Sequence, residues 1–434
     1  MIARRLYTLI WYLALPIILG RLIWRSIKAP GYRSHIAERL GFITPITSSK
    51  PCLWIHAVSL GESIAATPLI KALLQSGEFH LLITNTTPTG RARIAQEFGN
   101  QVSQAWAPYD IPACIERFLT SAKPCGLVIM ETELWPNWLH VCRRKNIPSL
   151  LANGRLSAKS ARGYQRFAAL SCQMMNDISM LTVQTEAHAE RFHSLGAKRN
   201  KIQVVGNIKF DIHLDSAIAS KAQAARSILY SRPTFIAGST HAGEDEIILA
   251  AFKQVISRIP NALLILVPRH PERFDAVAAL IQAQGFTLAR RSQDHLPKPH
   301  QQVLLGDTLG ELTLLYGLAA AAFIGGSLIP RGGHNMLEAA LWGIPIATGP
   351  HMDNFLQLHE DLSQCGALKT LQSANELAEF FQLAYTNPAN AKQMGEAGLN
   401  YLLSNQGALG RIKGAIDVTL QPLFTGAGRG ARTN

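Results

Sequence analysis

The sequence predicts an α/β protein of two lobes, each a parallel sheet covered on both faces by helices. Three observations carry that expectation. From residue 52 onward, short apolar runs alternate with helix-length stretches, the rhythm of repeated βα units. The runs are apolar throughout, as strands buried on both faces must be. The rhythm also occurs twice, on either side of a polar stretch at 207–232 that lacks strand character.

The first series begins with CLWIHAV, followed by the helical ESIAATPLIKALLQSG, the strand HLLITNTT and the helical TGRARIAQEFG. It continues with CGLVIMETE, PNWLHVCRRKN and IPSLLANGRLS. The second series runs TFIAGST, EDEIILAAFKQVISRI, NALLILVPRH, ERFDAVAALIQAQG, QVLLGDT, AAFIGGS and GIPIATGP. These boundaries assign 1–43 to an N-terminal anchor with a basic juxtamembrane segment, 44–215 to the first lobe and 216–423 to the second. The glycine- and arginine-rich end, 424–434, has the composition of a disordered tail.

Residues 1–43 hold seven Arg and Lys residues and one acid, Glu38. Between Arg5 and Arg21 lies LYTLIWYLALPIILG, apolar but shorter than the ~20 residues that cross a bilayer comfortably. Extension through Leu22, Ile23 and Trp24 brings it near that length, with arginines snorkelling. No small-residue cleavage site follows, so a membrane anchor is expected, spanning or lying in the interface. Arg21, Arg25 and Lys28 outnumber Arg4 and Arg5, which places the following domain on the cytoplasmic side.

Composition narrows the partner. The 434 residues carry 42 Lys and Arg against 29 Asp and Glu, a net charge of +13. Such an excess calls for an anionic partner: nucleic acid, a membrane surface or a phosphorylated substrate. Aromatics do not interleave with a basic stripe, which argues against nucleic acid. The six cysteines form no CxxC pair, the usage of reduced, buried thiols. With no HExxH and no Asp-x-Asp in a loop, no metal is expected, and no cofactor.

In doubly wound sheets, ligands bind beyond the carboxyl ends of the strands. The distinctive residues all fall there. In VSLGES, Ser59 and Glu62 have the spacing of a capping box. Glu131 and Glu133 end an apolar run, where carboxylates need partners such as Arg155 or Arg162, or a function. Lys209 lies in GNIKFD. In the second series, Ser239 and Thr240 are placed to cap a helix from about Gly243. Arg269 and His270 suit a phosphate or a base edge. Thr308 to Glu311 reads as another capping box. In GGSLIPRGGHNMLEAA, two Gly-Gly pairs permit close approach, His334 and Asn335 open a helix, and Glu338 is placed to accept from sugar hydroxyls. Dinucleotide and Walker fingerprints are absent, since GESIAA lacks the second and third glycines and no GxxxxGK[ST] occurs.

Taken in order, VSLGE, ETELWPN, NGRLS, GNIKFD, LVPRHPER, GDTLGEL and IPRGGHNMLEAA resemble the 3-deoxy-D-manno-octulosonic acid (Kdo) transferases, over nearly the whole chain. The resemblance implies a GT-B glycosyltransferase: two Rossmann-like domains facing across a cleft, plus an N-terminal membrane-anchor helix at the cytoplasmic face of the inner membrane. It implies a CMP-Kdo donor, a lipid A precursor as acceptor, and an anionic membrane surface as partner. By position, Glu62 matches the general base, and Glu131 and Lys209 match residues that stabilise the transition state. Pro268 and Arg269, Leu309, Gly310 and Glu311, and Asn335, Met336, Leu337 and Glu338 match the CMP-contacting segments. Met336 departs from relatives that have proline there. The helix start is expected to keep Glu62 ionised, hence a weak base. Two alternatives stand beside this reading: a GT-B enzyme using another nucleotide sugar such as a UDP-sugar, and a membrane-tethered binding protein with a degenerate site.

Overall fold

Runs with no polar alternation become the central strands of two seven-stranded parallel sheets. The computed structural model describes residues 2–229, 232–293 and 296–426. The first sheet contains β1 (Cys52–His56), β2 (His80–Asn85), β3 (Ser103–Trp106), β4 (Pro124–Met130), β5 (Ser149–Gly154), β6 (Met180–Val183) and β7 (Ile202–Val204). Their spatial order is β3-β2-β1-β4-β5-β6-β7, and every pairing is parallel. The second contains β8 (Thr234–Thr240), β9 (Leu263–Pro268), β10 (Leu288–Arg290), β11 (Val303–Leu305), β12 (Ala321–Ile324), β13 (Ile346–Thr348) and β14 (Leu368–Thr370). It is ordered β10-β11-β9-β8-β12-β13-β14, again all parallel.

Each sheet is buried on both faces. In the first, Trp54 packs tilted against Phe118 and Trp138 at ring centroid distances of 4.6 and 4.7 Å. The opposite face carries Leu53, Ile55, Val128 and Leu150. In the second, Phe235 stacks on Phe381 at 4.8 Å, with Ile236, Ile265 and Ala322 on the other side.

The residues up to Asp211, together with those from Gln406 on, form one unit, and Ile212–Asn405 forms the other. The last helix, Ala408–Gly426, thus departs from the expectation that 216–423 make up the second lobe. Its Ile412, Ala415, Ile416 and Leu420 recur at helical spacing and are buried against Leu53, Ile55 and Val128 of the first sheet. The Asp211 carboxylate fixes the return, accepting from the amides of Gly407 and Leu409 at 2.5 Å each. Of the expected tail, 424–426 continue this helix and 427–434 lie outside the described residues.

The N-terminal segment forms one helix, Ile2–Lys28, which is long and apolar enough to cross a membrane. A short helix, Ile36–Arg39, then joins the first sheet's edge. There Glu38 accepts from the Trp106 amide at 2.7 Å, and Arg39 lies over the Trp106 ring at 4.1 Å. All six cysteines are free thiols.

Candidate functional site

Both sheets reverse their winding once, where a crevice opens in this architecture, and Glu62, Glu131 and the loops after β8 and β12 flank those reversals. In the first unit the reversal lies between β1 and β4. Beyond β1 begins the helix Leu60–Ser76, capped by Ser59, whose hydroxyl accepts from the Glu62 amide at 3.5 Å. Glu62 Oε2 reaches back to accept from the Val58 amide at 2.6 Å. The box is therefore real but displaced by one residue, toward Val58 instead of the capping serine. No donor among the described residues reaches the other carboxylate oxygen. Burial pushes the Glu62 carboxyl up to about 7; the Val58 bond opposes this, and the charges of Glu131 and Glu133 add to it. The expectation of a weak base kept ionised by the helix start is thus overturned, because desolvation outweighs the amide contact.

Glu131 follows β4 directly, in a left-handed conformation with φ +59°. It is nearly fully buried, and its carboxylate accepts from Arg155 Nε at 2.7 Å. The partner expected from sequence is thus the one found. Glu133 keeps its carboxyl above the usual range through burial. Asn153 is the last residue but one of β5, buried and likewise left-handed at φ +55°. Its Oδ1 accepts from the Ile208 amide at 3.1 Å and so fixes the turn Ile208–Phe210, which packs on the helix Leu60–Ser76. Lys209 sits in that turn, exposed, and forms no ion pair among the described residues. Glu62, Glu131 and Lys209 therefore all stand on one sheet's carboxyl edge.

In the second unit the reversal lies between β8 and β12. The side chain that organises it, Glu244, did not stand out in the sequence. Fully buried, it accepts from four amides: Gly326 at 2.6 Å, and Ser327, Leu328 and His241 at 3.0 Å each. One carboxylate thus clamps the loop after β12 to the loop after β8. Gly325 is required there, since a Cβ would lie 2.5 Å from the Ser239 carbonyl oxygen. The close approach that the glycine pair permits is to the chain's own backbone. The clamp brings His241 Nε2 to 2.8 Å from His334 Nε2, with the rings parallel. Burial, then the Arg269, His241 and His270 charges, lowers His334 to about 4, so this pair is neutral near pH 7 and shares one hydrogen.

The remaining expected donor residues divide. Pro268 is buried at the end of β9, while Arg269 is exposed, its amide bound to the Thr240 carbonyl at 2.9 Å. Ser239 and Thr240 do not cap a helix. The helix Asp245–Arg258 has no side-chain cap, and the Thr240 hydroxyl instead donates to Asp245 at 2.6 Å. Nor is Thr308 to Glu311 a capping box: Arg291 binds the Glu311 carboxylate at 2.7 and 3.0 Å, and Thr308 donates to it. Leu309 is exposed and Gly310 left-handed at φ +81°. Asn335 Oδ1 accepts from the Leu337 amide at 3.2 Å, opening a helix of only four residues, Leu337–Ala340. Met336 and Leu337 turn into the core, so only their backbone is available to a ligand. Glu338 accepts from Thr313 at 2.7 Å, which joins this segment to the one after Glu311.

Comparison with known proteins gives a consistent result. The signature of a family described as 3-Deoxy-D-manno-octulosonic-acid transferase (kdotransferase) matches residues 34–212. A 3-deoxy-D-manno-octulosonic acid transferase of Haemophilus influenzae is 40% identical over 414 residues, 94% of this chain and 97% of that one. Its namesake in Bordetella pertussis is 36% identical, over 91% and 94%. A crystal structure of a glycosyltransferase from Rickettsia africae superposes with a TM-score of 0.52 at 13% identity, covering 87% of this chain and 99% of that one. That likeness speaks to the fold alone, two parallel α/β domains of the GT-B class.

Proposed function

The chain belongs to the family of 3-deoxy-D-manno-octulosonic acid (Kdo) transferases, and on that premise we propose an inverting transfer of Kdo from CMP-Kdo to a lipid A precursor, lipid IVA, in lipopolysaccharide core biosynthesis. The observation that carries the mechanism is the Glu62 carboxylate. It is anchored through one oxygen, has no donor at the other among the described residues, and titrates at about 7. A base with that affinity for protons accepts one readily while about half of it remains ionised in neutral solution. As the acceptor hydroxyl oxygen attacks the anomeric carbon, Glu62 takes its proton. The bond from that carbon to the CMP phosphate breaks, and CMP leaves with the electron pair.

The other first-unit residues serve this step by charge. Lys209, exposed and without an ion-pair partner among the described residues, meets the negative charge that develops on the leaving phosphate. Glu131, locked by Arg155, supplies a fixed negative charge beside the base, which favours the positively polarised anomeric centre. In the second unit, Arg269 and the loops clamped by Glu244 hold CMP, with Glu311 acting through its hold on Arg291. Because the chain's own cations and amides neutralise the phosphate, this scheme needs no metal. The N-terminal helix anchors the protein at the cytoplasmic face of the inner membrane, where the basic chain meets anionic lipid and its acylated, phosphorylated acceptor.

Glu62→Ala abolishes transfer under this reading while CMP-Kdo still raises the melting temperature as in wild type. Full activity of that variant refutes the base assignment. Mass spectrometry of the glycolipid after incubation with CMP-Kdo tests donor and acceptor together. Stabilisation by UDP instead of CMP points to a different nucleotide sugar.

A further inference from the structure

The N-terminal helix shows two faces along its whole length. Arg4, Thr8, Trp11, Ile18, Leu22 and Ser26 recur at spacings of three, four and seven, and all are partly or fully covered by the first unit. The covering contacts are specific. Arg4 donates to Asn137 Oδ1 at 3.3 Å, and the Thr8 hydroxyl lies 3.0 Å from the same oxygen. Tyr7 hydrogen-bonds the buried Asp110 carboxyl. Trp11 packs between Tyr109 and Trp135, 6.0 Å from each ring. Farther along, Ile18 and Leu22 share a groove with Arg39, Thr86 and Tyr109.

The opposite face is apolar and bare. Ile2, Leu13, Ile17, Trp24 and Ile27 are between 67% and 83% exposed, and Leu6, Leu9 and Ile10 more than half. Arg5, Arg21 and Arg25 are also exposed. From Arg4 to Ser26 the docked face is about 33 Å long at 1.5 Å per residue. A hydrocarbon core is about 30 Å thick. A helix that crossed it would have to abandon these contacts, taking Arg4 and Thr8 from Asn137 Oδ1 and Tyr7 from the buried Asp110 carboxyl, or draw the folded unit into lipid.

We propose that this helix does not cross the membrane but lies in its surface plane, docked along the first unit, with its apolar face in an anionic phospholipid leaflet. The docked contacts fix its orientation, the bare stripe supplies the apolar area, and the arginines meet phosphate headgroups. The proposal rests on the membrane anchorage proposed above and adds its geometry. Residues Tyr109, Trp135, Asn137, Thr86 and Asp110 follow the carboxyl ends of β2, β3 and β4. The helix therefore lies on the same sheet edge as Glu62.

The test uses the full chain carrying Arg5→Cys, expressed in a Gram-negative cell and treated with a membrane-impermeant maleimide, with labelled peptides read by mass spectrometry. The native exposed thiols Cys172 and Cys365 report the catalytic side. A docked surface helix gives no labelling of the introduced thiol from intact spheroplasts, and labelling in inverted vesicles together with Cys172, or only after detergent. Labelling of the introduced thiol from spheroplasts, with protection in inverted vesicles, overturns the proposal. A second variant, Ile17→Glu, is expected to release at least tenfold more chain from membranes, with its melting temperature and its transfer to detergent-dispersed acceptor unchanged. Unchanged membrane retention of that variant also counts against the proposal. A wild-type chain found wholly in the soluble fraction instead removes the anchorage reading itself.

Discussion

At the residue scale, Glu62 carries two demands that oppose each other. Folding favours it protonated, because burial penalises the charge, and the proposed reaction requires it ionised. The carboxyl titrates at about 7 in the folded chain against 4.5 for a free glutamate, so the folded state binds its proton more tightly. Stability is therefore greatest at low pH in this respect and is lost as pH rises from 4.5 through 7, by up to about 3 kcal/mol. Two outcomes follow. In wild type, kcat/KM falls about tenfold per pH unit below 7 and levels off above it, read from a pH–rate profile. Glu62→Gln unfolds at a higher temperature than wild type at pH 8 but not at pH 4, while its transfer rate drops by roughly 10³. Equal melting temperatures at pH 8 would mean that the carboxyl is not perturbed. The spacing of Ser59 and Glu62 showed the cap in the sequence, whereas the raised proton affinity depends on burial and on Glu131 and Glu133 nearby in space, which spacing does not reveal.

At the scale of elements, the loops beyond β8 and β12 depend on one side chain. Glu244→Gln keeps the shape of the group but replaces an acceptor oxygen with a donor facing an amide. It is expected to cost about 3 kcal/mol by chemical denaturation and to remove the thermal shift given by CMP. Gly325→Ala, which drives a methyl into the Ser239 carbonyl, should lose about 1–3 kcal/mol and weaken CMP binding likewise. A full CMP shift in either variant dissociates this clamp from the donor site. The same scale shows what the sequence could not disclose. The strands foreseen from apolar runs were the inner ones, β1, β2, β4, β5, β8, β9, β11, β12 and β13. The four sheet edges, β3, β7, β10 and β14, escaped notice, as did β6. Edge strands such as SQAW, IQV, LAR and LKT are short and half polar because one side faces solvent, so they leave no apolar run to read. Glu244 escaped for the opposite reason. A single acid before a helix resembles any first-turn carboxylate until four amides converge on it.

For the molecule as a whole, two parallel sheets, their order in the chain and most of the site loops were legible from the alternation of runs. The route of the chain at its end was not, because a helix of ordinary amphipathic pattern does not state which sheet it covers. Truncation after Asn405 is expected to leave Leu53, Ile55 and Val128 without their cover. Such a protein should aggregate and lose the first unit's unfolding transition, while the second unit keeps its response to CMP in calorimetry. Two cooperative transitions in the truncated chain would contradict this. The same return of the chain sets a schedule for synthesis. The first unit is encoded at the start, yet one face of its sheet stays open until Ile412, Ile416 and Leu420 have left the ribosome. The unit translated later is complete before then. The nascent protein must therefore finish last the half that it began first, long after the apolar N-terminal helix of that half has been made.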